Sequence, residues 1–167
     1  QKVPLKLAEN VPDTVVHSVA VVHSREPVEE SQIPGAAAKI AQDHASMGYQ
    51  AGLDDSSTIW KQRWEVSNIE IKGPEQDQVR IRFGAFQTLQ AAPFQADNLS
   101  VPARGLSYNR YHGLYYWDSE TFILPQYLYT HPGVAENLLC FRSRTLPGAR
   151  RYAKYLGSPG ACFPWMT

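Results

Sequence analysis

The sequence has few of the residues that build disulfide frameworks, metal clusters or membrane spans. Cys140 and Cys162 are the only cysteines among 167 residues, and neither lies near a group of histidines or cysteines at metal-ligand spacing. No apolar run approaches the ~20 residues that a membrane helix requires. We therefore predict two reduced structural cysteines, no metal site and no membrane partner.

An excess of charge and the common catalytic motifs are also missing. The 16 basic and 16 acidic side chains cancel, so no overall field favours nucleic acid or an anionic surface. No glycine-rich phosphate loop, serine nucleophile elbow or zinc-ligand spacing occurs in the sequence. The sequence thus predicts no nucleic-acid partner and no cofactor.

A short β segment precedes the first predicted helices. The β-branched run at 15–22 is typical of a buried strand, and the segment 25–34 has the prolines and polar residues of a linker. A helix is predicted from 35 to 47, with Gly48 as its C-terminal cap. A second helix is predicted to begin at a cap provided by Asp54, Asp55 or Ser56.

Prolines and glycines divide the second half of the chain into further helices. Pro74 suits the first turn of one helix, 117–129 forms another, and Pro132 opens the next. Thr145 is predicted to cap a last helix that ends at Gly157. The predicted fold class is therefore mainly α, with β structure confined to the front of the chain.

A long aromatic loop, 94–116, leads to the pair Trp117-Asp118. Loops of this length are usually functional or disordered, and the aromatic content argues against disorder. An aromatic face can cover the apolar side of a pyranose ring while a carboxylate accepts hydrogen bonds from its hydroxyls. Asp118 can equally cap a helix and Trp117 can be a buried anchor. His112 is the histidine inside this loop and is a candidate ligand contact.

Nine segments, in order along the chain, carry a resemblance to a known family. They lie at 60–65, 81–87, 99–106, 111–113, 116–120, 124–128, 137–142, 145–150 and 160–165. The most characteristic of them is Tyr116-Trp117-Asp118-Ser119-Glu120. In this combination the chain resembles glycoside hydrolase family 65, which contains inverting phosphorylases of maltose, kojibiose, nigerose and trehalose.

The resemblance implies a fold and an order of domains. Residues 1–26 would be the end of an N-terminal β-sandwich, and 27–73 would be a helical linker. Residues 74–167 would be the first part of an (α/α)6 toroid, so the remainder of that catalytic domain is an expected partner. Members of the family are commonly dimers, and the resemblance therefore implies a homodimer as well.

The resemblance also implies a donor-sugar site. Trp117 would pack against the glucosyl ring and Asp118 would accept hydrogen bonds from its hydroxyls. Arg82, Phe83 and Tyr116 would be neighbouring wall residues. The reaction would be phosphorolysis of an α-linked glucose disaccharide with inversion to β-glucose 1-phosphate. Inorganic phosphate would be the co-substrate.

No catalytic residue is expected within the chain itself. The family's general acid is a glutamate a few residues beyond 164–165, so we expect the complete protein to be an enzyme and these 167 residues alone to be inactive. A family 65 hydrolase and a non-catalytic sugar-binding remnant are the alternatives. The lack of a signal sequence near Gln1, together with the need for intracellular phosphate, predicts the cytoplasm.

Overall fold

A computed structural model describes residues 9–10, 15–106 and 111–166. The chain divides into two compact units, 1–60 and 61–167, each described here by itself. The described residues form five α-helices and no strand, which confirms the predicted mainly helical fold. The helices are α1 (Ile33–Met47), α2 (Tyr49–Ser67), α3 (Glu75–Gln90), α4 (Leu124–Thr130) and α5 (Pro132–Tyr155). A 3-10 turn, Glu30–Gln32, precedes α1, and a π-helical turn, Ser119–Ile123, precedes α4.

The β-branched run at 15–22 does not form the strand that its composition predicts. It is irregular, and Val15, Val16, Val19 and Val21 are exposed. A strand requires a neighbour to pair its N–H and C=O groups, and no described residue supplies one to this run. Residues 1–8 and 11–14 of the predicted β-sandwich end lie outside the described residues. The domain boundaries at 26 and 73 stay a prediction.

Gly48 separates the first two helices. Gly48 has φ +86°, a conformation that favours glycine, and it ends α1 as predicted. Helix α2 begins immediately afterwards at Tyr49, so the predicted cap at 54–56 is wrong. Asp54 lies inside the helix, where its carboxylate accepts a hydrogen bond from Gln50 Nε2 at 2.9 Å. Its carbonyl accepts another from Thr58 Oγ1 at 2.9 Å.

Helix α5 is a single 24-residue helix rather than the predicted pair. It begins at Pro132 as predicted, but Thr145 does not cap a new helix. Thr145 Oγ1 instead donates to the carbonyl of Arg142, three residues earlier, at 3.0 Å. Pro147 therefore lies inside α5, where it lacks the N–H that would continue the helical hydrogen-bond ladder.

The core of the second unit lies where α4 meets α3 and α5. Tyr127 of α4 is fully buried, and its hydroxyl donates to the carbonyl of Thr88 in α3 at 2.7 Å. Burial raises the pKa of Tyr127, so this hydroxyl stays a hydrogen-bond donor. Leu89 of α3 and Leu138 of α5 are also fully buried. Helices α3, α4 and α5 thus each contribute a fully buried side chain to the core of this unit.

A histidine at the junction of α4 and α5 is held in a setting that disfavours its charged form. His131 packs edge-on against the ring of Phe94, with 5.3 Å between ring centroids. The guanidinium carbon of Arg63 lies 4.0 Å from the centroid of the same ring. Burial lowers the pKa of His131, and the positive charge of Arg63 lowers it further.

We expect this histidine to make the fold less stable in mild acid. Below about pH 6.5, the ordinary pKa of histidine, the unfolded chain binds a proton that folded His131 resists binding. The free energy of unfolding therefore falls as pH falls from this value toward the lowered pKa of His131. In the complete protein, His131→Asn should flatten the fall of the thermal midpoint between about pH 7 and pH 5.

The matched control is His112→Asn. His112 is exposed and has φ +52°, a conformation that asparagine also tolerates. This variant should keep the acid dependence of the wild-type protein. If the thermal midpoints of the two variants fall equally steeply as pH is lowered, His131 does not contribute to the acid dependence of stability.

Candidate functional site

A cavity of about 280 Å³ opens beside the π-helical turn that precedes α4. Its lining combines one carboxylate, one guanidinium and three aromatic rings with smaller groups. The described residues that line it are Ala103, Arg104, Tyr111, Tyr116, Asp118, Ser119, Ile123 and Trp165. The long loop, the π-helical turn and the segment that follows α5 thus meet at one place.

Hydrogen bonds fix the start of the π-helical turn against the long loop. Ser119 is buried, and its hydroxyl donates to the carbonyl of Val101 at 2.7 Å. The amide of Ala103 donates to the carbonyl of Leu114 at 3.3 Å, which ties the middle of the loop to its end. These hydrogen bonds therefore fix the backbone next to Asp118, which lines the cavity.

The Asp118 carboxylate is not used as a helix cap. Asp118 is exposed, precedes the π-helical turn, and makes no capping hydrogen bond with its side chain. The sequence left open whether this carboxylate caps a helix or faces a ligand. The structure removes the first role and places the residue in the cavity lining.

A largely buried ion pair supports the same turn from α5. Arg142 Nη2 lies 2.8 Å from Glu120 Oε2, and the two side chains are only 13% and 20% exposed. The same Arg142 nitrogen donates to the carbonyl of Tyr116 at 3.1 Å. The other carboxylate oxygen, Glu120 Oε1, is buried with no hydrogen-bond partner among the described residues. Arg142 is thus the charge that makes burial of Glu120 tolerable.

The segment after α5 returns to the cavity and contacts Tyr116 and Trp117. An isolated antiparallel bridge pairs Tyr116 with Met166. The rings of Tyr116 and Trp165 meet edge to face, with 5.1 Å between centroids. The Tyr116 hydroxyl donates to Met166 Sδ at 3.3 Å, and Trp117 Nε1 donates to the carbonyl of Pro164 at 2.9 Å. The segment 164–166 is therefore held at Tyr116 and Trp117, and its Trp165 lines the cavity.

The structure brings some of the predicted site residues together and separates others. Tyr116 and Asp118 line the cavity, and Trp117 lies between them in sequence but outside the lining. Arg82 lines a different pocket with Trp64 and Asn68, and its Nε donates to Asn68 Oδ1 at 3.3 Å.

Phe83 and His112 also lie outside the lining of this cavity. Phe83 is 62% exposed on α3, and His112 is exposed in the long loop. The roles of Arg82, Phe83 and His112 in binding sugar stay predictions.

Six lining residues were not predicted as site residues, and three of them carry an aromatic or charged side chain. Arg104 and Tyr111 are neighbours in the cavity, with the Arg104 guanidinium carbon 5.7 Å from the Tyr111 ring centroid. Trp165 is the third. All three lie within segments that carry the family resemblance, and that placement was the available signal. No local pattern in the sequence indicates that Trp165 packs beside the long loop. The neighbouring contact between Tyr116 and Met166 joins residues that are 50 positions apart.

The part of the chain that the structure describes contains no candidate metal site. No group of three histidine, cysteine or acidic side chains in it could hold a metal ion. Among the same residues, no helix has the length and apolar character needed to cross a bilayer.

The cavity combines aromatic faces with a carboxylate and a guanidinium. This set of groups suits a small ligand with an apolar face and several hydroxyls.

Comparison with known proteins gives a consistent result. The family model of the glycosyl hydrolase family 65 central catalytic domain matches residues 82–167. A kojibiose phosphorylase of Halothermothrix orenii is 43% identical over 117 residues, which cover 70% of this chain and 15% of that protein. A maltose phosphorylase of Bacillus subtilis is 35% identical over 150 residues, which cover 89% of this chain and 20% of the relative.

A solved structure agrees with these similarities. It is a candidate kojibiose phosphorylase from the human microbiome, 33% identical, with a TM-score of 0.76 over 84% of this chain and 20% of that one. The chain thus spans about a fifth or less of the length of these relatives. The match of the family model covers the whole cavity lining, from Ala103 to Trp165. The chain belongs to glycosyl hydrolase family 65.

Proposed function

We propose that the complete protein containing this chain is a disaccharide phosphorylase. It would cleave an α-glucosidic bond with inorganic phosphate and release β-glucose 1-phosphate. Relatives named as kojibiose, nigerose and maltose phosphorylases support this assignment at the level of the family. For this chain, a single observation carries the assignment. The Asp118 carboxylate does not cap the helical turn that follows it, and it lies in a cavity lined by aromatic rings.

The proposed site uses two kinds of contact with the glucosyl unit. The Asp118 carboxylate accepts hydrogen bonds from sugar hydroxyls, and such charge-assisted bonds contribute roughly 1.5–3 kcal/mol each. Aromatic rings of Tyr111, Tyr116 and Trp165 cover apolar C–H faces of the ring. The guanidinium of Arg104 lies in the same cavity lining.

The proposed reaction inverts the anomeric centre in one displacement. A carboxylic acid protonates the glycosidic oxygen while phosphate attacks the anomeric carbon from the opposite face. We assign the acid to a glutamate beyond residue 167, so this chain supplies binding groups rather than the proton. Phosphate takes the position that water holds in an inverting hydrolase, so no organic cofactor is required. Because phosphate is the co-substrate, we place the activity in the cytoplasm.

The test is the phosphate dependence and the stereochemistry of turnover. The complete protein is incubated with kojibiose, nigerose, maltose and trehalose, with and without phosphate, and the first product is followed by proton NMR. We expect β-glucose 1-phosphate from at least one disaccharide and no turnover without phosphate. Free glucose formed without phosphate would support the family 65 hydrolase instead. Binding with no turnover under either condition would support a non-catalytic sugar-binding protein.

A further inference from the structure

We infer that a second cavity, between α2 and α3, is a ligand site that takes a monosaccharide carrying one phosphate group. It has a volume of about 630 Å³ and is lined by Lys61, Trp64, Glu65, Asn68 and Arg82. None of these residues lines the cavity beside the π-helical turn. The inference therefore concerns a different place on the protein and goes beyond the proposed reaction.

Four of the five lining residues share one face of α2 and its continuation. Positions 61, 64, 65 and 68 are three or four apart, a spacing that places side chains on the same side of a helix. Asn68 follows the last residue of α2 but keeps this register, because its amide donates to the carbonyl of Trp64 at 3.0 Å. Arg82 of α3 faces them, and its Nε donates to Asn68 Oδ1 at 3.3 Å. A hydrogen bond between lining residues thus joins the two helices at the second cavity.

The lining of the second cavity carries two positive charges and one negative charge. Within the described part of the chain, none of the three forms an ion pair. Lys61 and Glu65 are four positions apart, but a lysine that precedes a glutamate is the less favourable order for pairing on a helix. The bond to Asn68 occupies Nε of Arg82, so the terminal nitrogens of this guanidinium remain as donors toward a ligand. Helices α2 and α3 therefore each provide one charged donor to the second cavity.

This combination of groups fits a sugar phosphate better than a bare anion or a neutral sugar. Phosphate oxygens accept charge-assisted hydrogen bonds from lysine and arginine. Half-buried Trp64 supplies an aromatic surface for the apolar face of a pyranose ring. The Glu65 carboxylate accepts hydrogen bonds from ring hydroxyls, and it would repel a second anionic group. A ligand with one phosphate and one hydroxylated ring therefore uses all three charged groups and the aromatic ring.

The test is a calorimetric titration of the complete protein with glucose 6-phosphate, which is neither substrate nor product of the proposed reaction. We expect saturable binding that Lys61→Gln weakens roughly tenfold, the effect of losing one charge-assisted hydrogen bond. The matched control is Lys154→Gln, because Lys154 is an exposed lysine of α5 outside this lining. It should leave the affinity unchanged. Equal affinities in the two variants, or no binding to the wild-type protein, would overturn the inference.

A titration of Asp118→Ala shows which of the two cavities holds glucose 6-phosphate. Binding at the second cavity should keep its wild-type affinity in this variant, because Asp118 lines the other cavity. Adding Lys61→Gln to Asp118→Ala should again weaken binding roughly tenfold. Loss of binding in Asp118→Ala alone would place the probe in the cavity beside the π-helical turn, and the inference would be wrong.

The sugar part of the ligand has a separate test. Inorganic phosphate lacks the ring that Trp64 and Glu65 would contact. It should therefore displace glucose 6-phosphate from the second cavity only at concentrations at least about tenfold higher. Displacement at similar concentrations would show that the second cavity takes a bare anion, which contradicts the inference.

These titrations do not depend on the proposed reaction. A protein that binds glucose 6-phosphate through Lys61 but cleaves no disaccharide would overturn the proposed function and leave the second site standing. A protein that phosphorolyses a disaccharide but shows no binding that depends on Lys61 would overturn the second site alone.

Discussion

Replacing Arg142 with alanine should loosen the π-helical turn by roughly 3 kcal/mol, which makes this the largest expected effect on stability. The substitution removes the 2.8 Å ion pair with Glu120 and the hydrogen bond to the Tyr116 carbonyl. It also leaves the Glu120 carboxylate largely buried with neither oxygen paired. An uncompensated buried charge costs more than the ion pair itself contributes.

The measurement is hydrogen exchange of peptides that span 116–123 in the complete protein. A loss of about 3 kcal/mol in local opening free energy corresponds to exchange more than a hundredfold faster. Arg144→Ala is the matched control on the same helix. Arg144 pairs with Asp97, but its side chain is 59% exposed, so we expect less than about 1 kcal/mol.

A second substitution separates the lost charge from the lost packing. In Arg142→Ala with Glu120→Gln, no buried charge remains unpaired, so part of the protection should return. Equal exchange in Arg142→Ala and Arg144→Ala would show that burial of the Glu120 pair adds little. No recovery with Glu120→Gln would assign the loss to the packing and backbone contact of Arg142.

Asp118→Ala should produce the largest loss of activity among substitutions in this chain. Two charge-assisted hydrogen bonds of roughly 1.5–3 kcal/mol each predict at least about a hundredfold fall in kcat/KM. The side chain makes no capping hydrogen bond, so the thermal midpoint should change little. The measurement is kcat/KM for phosphorolysis together with a thermal melt of the complete protein.

Two controls define the role of this carboxylate. Asp118→Asn keeps an acceptor oxygen but loses the charge, so its kcat/KM should fall between those of the alanine variant and the wild type. Glu136→Ala removes an exposed acid from α5 and should leave kcat/KM unchanged. Unchanged turnover and sugar affinity in Asp118→Ala would mean that the pocket is assigned to the wrong residues.

The sequence predicted correctly those helix ends that depend on the backbone conformation of a single glycine or proline. Gly48 and Pro132 act through their own backbone conformation, so the end of α1 and the start of α5 could be read from the sequence. Thr145 and Asp54 carry equally good capping chemistry, yet both lie inside helices. The surrounding helix satisfies their side chains, and local preference is overridden by context.

The site residues likewise fall into those that a local motif predicts and those that only a distant contact brings to the cavity. Asp118 and Tyr116 belong to the motif at 116–120 and were predicted to face a ligand. Trp165 reaches the cavity only because the segment after α5 returns to Tyr116, a contact between residues far apart in the chain. Such pairings follow from the path of the whole fold, and no periodicity or cap encodes them. For the same reason the sequence could not show that the Trp117 indole bonds to Pro164.

The pairing of Tyr116 with Met166 also has a consequence for the order of events during synthesis. The two residues are 50 positions apart, and all of α4 and α5 lies between them. A chain leaving the ribosome presents the Trp117-Asp118 motif long before Trp165 and Met166 have emerged. Until they emerge, the carboxylate lacks the part of its aromatic wall that Trp165 provides. The cavity is therefore among the last features of this unit that a nascent chain completes.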